Sequence, residues 1–204
     1  MKINIRSIDA FKDISKNSIQ LIESYATYTN FTIGDPICAP PLIPNQILII
    51  LSGNVRLIHN NKNEKNCSSI LSNNQFLGLI SILTAEACEN LAASNDVLCM
   101  SLPDKILIQL YQNDLEFRNW CNQTIQVAEL YKLSNILLEK CVKSKLKLEE
   151  LFKILSENSK LEVIKNGSNL KTKQDNINII GSANVINKNI GDTLLKNEVI
   201  NTRG

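Results

Sequence analysis

Several features that would assign the chain to a specialised class are missing. It has no long apolar run: the longest, "ILIILSGNVRLI", is broken by Ser52, Gly53, Asn54 and Arg56. A bilayer span needs ~20 apolar residues, so no direct membrane insertion is expected. The N-terminus, "MKINIRSIDAFKDISK", lacks a continuous apolar segment and carries Asp9 and Asp13. It does not read as a signal peptide, and the cytoplasm is the expected compartment. An excess of one charge is lacking too: 22 Lys and Arg stand against 20 Asp and Glu, a net +2. That balance gives no basic surface of the kind that nucleic acid requires.

Catalytic and metal signatures are equally scarce. There is one histidine, His59, at the end of an apparent strand beside a polar loop, and no sequence feature brings a cysteine to it. The six cysteines (Cys38, Cys67, Cys88, Cys99, Cys121 and Cys141) form no C-x-x-C pair and lie mostly among apolar neighbours. They are expected to be reduced, buried thiols that pack as small hydrophobes, and their spacing does not suit zinc. No P-loop, G-x-S-x-G or G-x-G-x-x-G occurs. No catalytic residue, metal site or cofactor is assigned, and an enzyme is not expected.

What is present describes a globular chain of 204 residues, 44% hydrophobic and 21% charged, enough for one core plus a small second unit. Residues 7–26 read as a short helix and a second one capped by Ser15 or Asn17, with Ile19, Ile22 and Ala26 inward. "TYTNFTIGDPIC" switches to strand chemistry that stops at Gly34-Asp35-Pro36, and "APPLIPNQ" is an extended crossing. "QILIILSGNVRLIHNN" predicts a buried strand, a tight hairpin through Ser52-Gly53-Asn54, and a strand from Val55 to Ile58. "CSSIL" adds another strand, and "ENLAAS" with "VLCMSL" predicts a second hairpin around Asn95-Asp96. Short strands at this spacing argue for an antiparallel barrel or jelly roll.

After Pro103 the period becomes helical, through "PDKILIQLYQND", "LEFRNWCNQT" and "IQVAELYKLSNILLEKCV". The last presents Val127, Leu130, Tyr131, Ser134, Leu137, Leu138 and Cys141 on one face. "KLKLEELFKILSEN" follows, with a stripe of Leu148, Leu151, Phe152 and Leu155. "INIIGSANVI" and "NIGDTLL" read as two weak strands. The fold class is therefore α+β: an antiparallel roll with flanking helices over residues 1–142, and a small α/β extension over 143–204.

The order of these elements resembles the cyclic nucleotide-binding domain, the β-roll of the catabolite activator and kinase regulatory subunit superfamily, over about residues 8–142. The segment "FLGLISIL" is similar to the family's phosphate-binding cassette, and "ILSGNVRLI" to its glycine-bearing hairpin. "IGDPIC", "ILSGNVRLI", "EACENLAAS" and the "IGDTLL" tail also look similar to the divergent copy that precedes peptidase-type ABC exporters of cyanobacteria. That likeness implies an exporter's membrane and ATPase component as a partner. This sequence carries neither segment.

The resemblance implies a working cassette built on backbone N–H groups, an Arg on the phosphate and a Glu on the ribose hydroxyl. Here the glycine is Gly78, the Glu position is Leu79, and the Arg position is Ala87, followed by Cys88. No Arg occurs between Arg56 and Arg118. Losing a charged partner of this kind costs about 2–5 kcal/mol, so cyclic nucleotide binding is not expected. The candidate pocket would be lined by Gly78, Leu79, Ile80, Ala87 and Cys88. It would suit an apolar ligand or be plugged by Leu79.

The implied role is a non-catalytic sensing, docking or regulatory module. The rival is a transcription regulator of the same superfamily, with "KLKLEELFKILSENSKLEVIKNG" as a divergent helix-turn-helix. Residues 146–166 are nearly balanced in charge and a recognition helix there would offer few base-reading side chains, so nucleic acid is not favoured. The helix over 124–142 could pair with its twin in a homodimer or pack onto this chain's own barrel.

Overall fold

The computed structural model describes residues 3–61, 64–87, 89–141, 146–164, 166–169, 176–181, 185–195 and 199–201, the side chains at 59–61 and 64–68 excepted. The chain divides into two compact units, residues 1–128 and 129–204. Among the described residues, no helix is long and apolar enough to cross a membrane.

The first unit opens with two turns of 3-10 helix, Ile5–Ser7 and Asp9–Phe11, and then α1 (Lys16–Tyr25). Ser15 caps α1 by accepting a hydrogen bond from the Ser18 N–H at 3.1 Å, and Ile22 is fully buried. Eight strands follow as two four-stranded antiparallel sheets. One holds β1 (Thr27–Phe31), β8 (Val97–Pro103), β3 (Gln46–Ser52) and β6 (Phe76–Leu77), in that spatial order. The other holds β2 (Pro36–Cys38), β7 (Leu91–Ala93), β4 (Val55–Asn61) and β5 (Glu64–Leu71). The mixed α+β architecture with antiparallel sheets agrees with the roll read from the sequence.

Both hairpins predicted from turn chemistry are corrected by this topology. β3 pairs with β6 and β8, whereas β4 pairs with β5 and β7. The Ser52-Gly53-Asn54 segment is therefore a corner where the chain leaves one sheet for the other. The Asn95-Asp96 segment is a second such corner, joining β7 to β8. The residues were read rightly as turn formers; a local turn signal does not say which strands pair across it. β4 and β5 do form a hairpin, with Val55 opposite Leu71.

The two corners hold each other. The Asn54 N–H donates to Asn95 Oδ1 at 2.7 Å, and the Ser94 N–H donates to the Asn54 carbonyl at 2.8 Å. Gly53 has φ +87°, and a Cβ there would collide with the Asp96 carbonyl and lie 2.9 Å from Val97 Cα. Left-handed backbone and close approach both require glycine here.

Two further helices, α3 (Asp104–Asn113) and α4 (Leu115–Gln123), lie beyond β8. Asp114 caps α4 by accepting from the Glu116 and Phe117 N–H groups, each at 3.1 Å. The same carboxylate accepts from the Ser15 N–H at 3.0 Å and the Ser18 hydroxyl at 2.6 Å, tying the start of α1 to the start of α4. Burial raises its pKa, but the hydrogen bonds from Ser18, Ser15 and Phe117 outweigh this and hold it below the usual carboxylate range. Around this junction Phe11, Phe76, Phe117 and Trp120 form an aromatic cluster, with Phe76 and Trp120 4.9 Å apart and Phe11 and Phe117 5.7 Å apart.

The second unit contains most of α5 (Val127–Lys140), then α6 (Leu148–Asn158) and four two-residue strands. Asn178–Ile179 pairs antiparallel with Thr193–Leu194, joining the two segments read as weak strands, and Ser168–Asn169 pairs with Val199–Ile200. Tyr131 of α5 meets Phe152 of α6 edge-on at 5.9 Å. Lys140 donates to the Ile190 carbonyl at 2.8 Å and to Asp192 at 2.5 Å. Leu148, Leu151, Phe152 and Leu155 are the half-buried positions of α6, the stripe expected from the sequence.

Cys99 is buried and Cys38 and Cys121 half-buried, as expected, whereas Cys141 is exposed at the end of α5, where the helical stripe runs out. Burial pushes the Cys99 and Cys121 thiols up to about 12, which leaves them packing groups without thiolate character.

The paired corners yield a test. Gly53→Ala should destabilise the first unit by about 2 kcal/mol or more, because αL strain of about 1–2 kcal/mol adds to displacement of the opposing corner. Urea unfolding should show this as a lower midpoint. An unchanged midpoint would mean that the corners do not hold each other.

Candidate functional site

The cassette-like segment is built around Gly78. β6 delivers Phe76 into the aromatic cluster and Leu77 into the core, and the chain then turns at Gly78 with φ +80° to start α2 (Leu79–Thr84). A Cβ on Gly78 would lie 2.9 Å from the Pro44 ring, so the Pro-rich crossing packs directly against this turn. α2 ends at Ala85, itself left-handed at φ 55°, and residues to 87 lead back toward β7.

The sequence-predicted residues take different places around this turn. Leu79 is 1% exposed and belongs to the hydrophobic core with Ile8, Phe11, Phe76, Met100 and Leu107. Ile80 and Ala87 are half-buried. Cys88 lies outside the described residues. Gly78 offers its N–H inward, and what receives it is Glu89.

Glu89 went unassigned at the level of sequence. It stands two residues before β7 and is 5% exposed, and one of its carboxylate oxygens, Oε2, accepts a hydrogen bond from the Gly78 N–H. The local fold fixes this position. The Ile58 N–H donates to the Asn90 carbonyl at 2.7 Å, and Leu91 then pairs with Leu57. Burial pushes the Glu89 carboxyl up to about 7, against the pull of the Gly78 N–H. The chain thus places a carboxyl group of its own on the N–H of the glycine that opens the cassette-like helix.

Beside Glu89 is a cavity of about 350 Å³, within the range of small-ligand pockets. Its polar wall includes Asn73, Asn74 and Gln75 of the turn between β5 and β6, together with Asp9. Leu71, Phe76, Leu91 and Trp120 give it an apolar side, and residues 124–128 complete it. Gly78, Leu79, Ile80 and Ala87 are not among its lining residues. No lysine, arginine or histidine is among the described residues that line it. A phosphate would find no cation there and would meet a carboxyl group.

Arg56 does not supply the missing cation. It lies on β4 between the inward-facing Val55 and Leu57 and reaches the Ala93 carbonyl at 3.4 Å, while its buried Nε has no partner. The backbone of His59 continues β4 opposite Asn66, and its side chain is outside the description. Residues 159–164, where a helix-turn-helix would need its second helix, form no regular element.

Residues 28–114 match the family model of the cyclic nucleotide-binding domain. Among solved structures, the chain is similar to the sensor domain of the transcriptional regulator DNR from Pseudomonas aeruginosa. The identity is 12% and the TM-score 0.50, over 70% of this chain and 97% of that one. It is similar to the Thermus thermophilus catabolite activator protein at 15% identity and a TM-score of 0.45, over 72% and 86%. A regulatory subunit of a cAMP-independent protein kinase A from Trypanosoma brucei matches at 14% identity and a TM-score of 0.46, over 57% of this chain and 47% of that one. The chain thus spans about half the length of that subunit. At 12% identity the likeness to the DNR sensor domain is one of fold. No curated protein matches.

A buried carboxyl with a raised pKa makes folding depend on pH. Its proton is held in the folded state up to about pH 7 but lost from the unfolded chain near pH 4.5. The stability it allows is complete below the unfolded pKa and falls as pH rises through the folded one. Glu89→Gln keeps the acceptor for Gly78 and removes this titration. The variant should match the parent near pH 5 and exceed it by roughly 2–3 kcal/mol at pH 8. Urea melts at the two pH values measure this; equal slopes with pH in both proteins would contradict the burial of that charge.

Proposed function

We propose that the chain is a non-catalytic regulatory module on the cyclic nucleotide-binding fold whose cassette no longer takes a cyclic phosphate. One observation carries this reading: the Gly78 N–H is occupied by the buried Glu89 carboxylate. The absence of any Arg between Arg56 and Arg118 supports it, as does Ala87 at the position the resemblance reserves for the phosphate-binding Arg. A phosphodiester would have to displace or repel a carboxyl group in a water-poor site, where like charges interact strongly.

Titration calorimetry with cyclic AMP and cyclic GMP tests it. No heat of binding should appear at hundreds of micromolar. The double variant Ala87→Arg with Glu89→Ala supplies a cation and frees the Gly78 donor, and it should gain measurable affinity. Micromolar binding by the unaltered chain would overturn the proposal.

As a partner we propose the membrane and ATPase component of a peptide exporter, the chain acting as its docking or sensing part. The support is the sequence likeness of "IGDPIC", "ILSGNVRLI" and "EACENLAAS" to the domain that precedes such exporters. The apolar stripe of α5 serves this chain's own second unit in our reading. A Cβ on Gly191 would lie 2.9 Å from Ile136 Cγ2 and 3.6 Å from Leu137 Cδ2, and Tyr131 packs on Phe152. Leu137→Asp should therefore cost about 1–3 kcal/mol of stability and leave the mass in light scattering unchanged. A halved mass with unaltered melting would assign the stripe to a twin helix in a homodimer.

A further inference from the structure

We propose that the cavity beside Glu89 is a binding site for a small organic cation, an amine whose protonated nitrogen pairs with the Glu89 carboxylate while its carbon part lies against Trp120 and Phe76. The inference rests on the reading above that the site does not take a cyclic phosphate, and it assigns the chemistry that replaces it.

Four observations converge on this ligand class. The first is acceptor capacity. Gly78 engages Oε2 of Glu89, and the side chain lines the cavity, where its second oxygen can meet a ligand. A buried carboxylate is satisfied by a donor, and most strongly by a charged one. The second is sign. Asp9 is the other ionisable side chain described on the cavity wall, and it too is acidic. The third is surface. Phe76 and Trp120 are aromatic neighbours at 4.9 Å, and an aromatic face attracts a cation as well as an apolar chain. The fourth is size: about 350 Å³ lies at the lower end of the range of small-ligand pockets and is room for a small organic molecule.

Binding carries a proton signature. With its carboxyl near 7 in the empty site, Glu89 is partly protonated at neutral pH. An ammonium ion selects the ionised form, so binding expels a proton from the protein. Affinity therefore climbs as pH rises through 7 and then levels.

Calorimetry on the full chain with phenethylamine as probe and 3-phenylpropionate as its anionic counterpart tests the proposal. The amine should bind, and the acid should not. Amine affinity should rise about tenfold between pH 6 and pH 8, with heat that varies with the ionisation enthalpy of the buffer. Glu89→Gln, a variant expected to fold at least as well as the parent, should weaken the amine at pH 8 by about tenfold or more. Asp9→Asn should weaken it less. Lack of amine binding at ten millimolar, equal binding of the acid, or indifference to Glu89→Gln would each overturn the assignment. Cyclic AMP and cyclic GMP in the same experiment separate the two levels: heat from them removes the reading of the cassette, whereas silence from all four probes removes the amine site alone.

Discussion

The site depends on one hydrogen bond, from the Gly78 N–H to the carboxylate of Glu89. It settles what the turn at Gly78 can still do for a ligand. A backbone N–H donates one strong hydrogen bond, and here its acceptor is covalently part of the chain. Its effective concentration is set by the fold rather than by solution. An exogenous oxyanion competing for the same donor has to overcome that advantage and the charge already present. The scaffold around the turn is kept: Gly78 is left-handed, Phe76 is locked among Phe11, Phe117 and Trp120, and Pro44 packs on the glycine. The turn presents its N–H to a carboxyl group of the chain itself.

That arrangement has a cost, and its location is informative. A carboxyl group buried to this degree with one hydrogen bond is a poor stability device, since removing an ion from water costs several kcal/mol unless it is well paired. The same unit shows how the chain satisfies a carboxylate when structure alone is at stake. Asp114 receives bonds from Ser15, Ser18, Glu116 and Phe117 and is held below the usual range. The contrast between two buried acids in one unit, one with its pKa lowered and one with it raised, marks Glu89 as the group still able to take a partner. Titratable groups with raised pKa values beside a cavity concentrate where a protein binds something.

Much of the architecture was legible in the residues. Ser15 and Pro103 mark helix starts, the stripe Leu148, Leu151, Phe152 and Leu155 gives the half-buried side of α6, and "QILIILS" reads as a strand covered on both faces, its Ile47–Ile50 all buried. Strand pairing was not legible, because Gly53-Asn54 and Asn95-Asp96 have the composition of hairpin turns and are sheet-crossing corners. Their pairing with each other is a contact across 41 positions, which no local pattern encodes. For the site, the absent Arg was visible and pointed to a cassette without phosphate chemistry. Glu89 was missed because the stretch "ENLAAS" was read for its strand. The signal was there, an acid between Cys88 and Asn90 leading straight into the apolar Leu91-Ala92-Ala93, where a charged side chain at the edge of a core needs a reason.

The position of Glu89 also explains how an event at this site would be felt beyond it. The residue stands at the junction of three constrained segments. Through Gly78 it touches the turn clamped by Pro44; through Asn90 it joins β4; through Leu91 it begins β7, whose far end enters the corner held by Asn54 and Ser94. Protonating the carboxyl or pairing it with a cation changes the strength of its bond to Gly78, and its neighbours reach both sheets: Gly78 follows β6 in one, while β4 and β7 pair in the other. A regulatory module needs a group whose state can change near neutral pH and whose immediate contacts are stiff enough to transmit the change. In the described part of this chain, Glu89 combines the two.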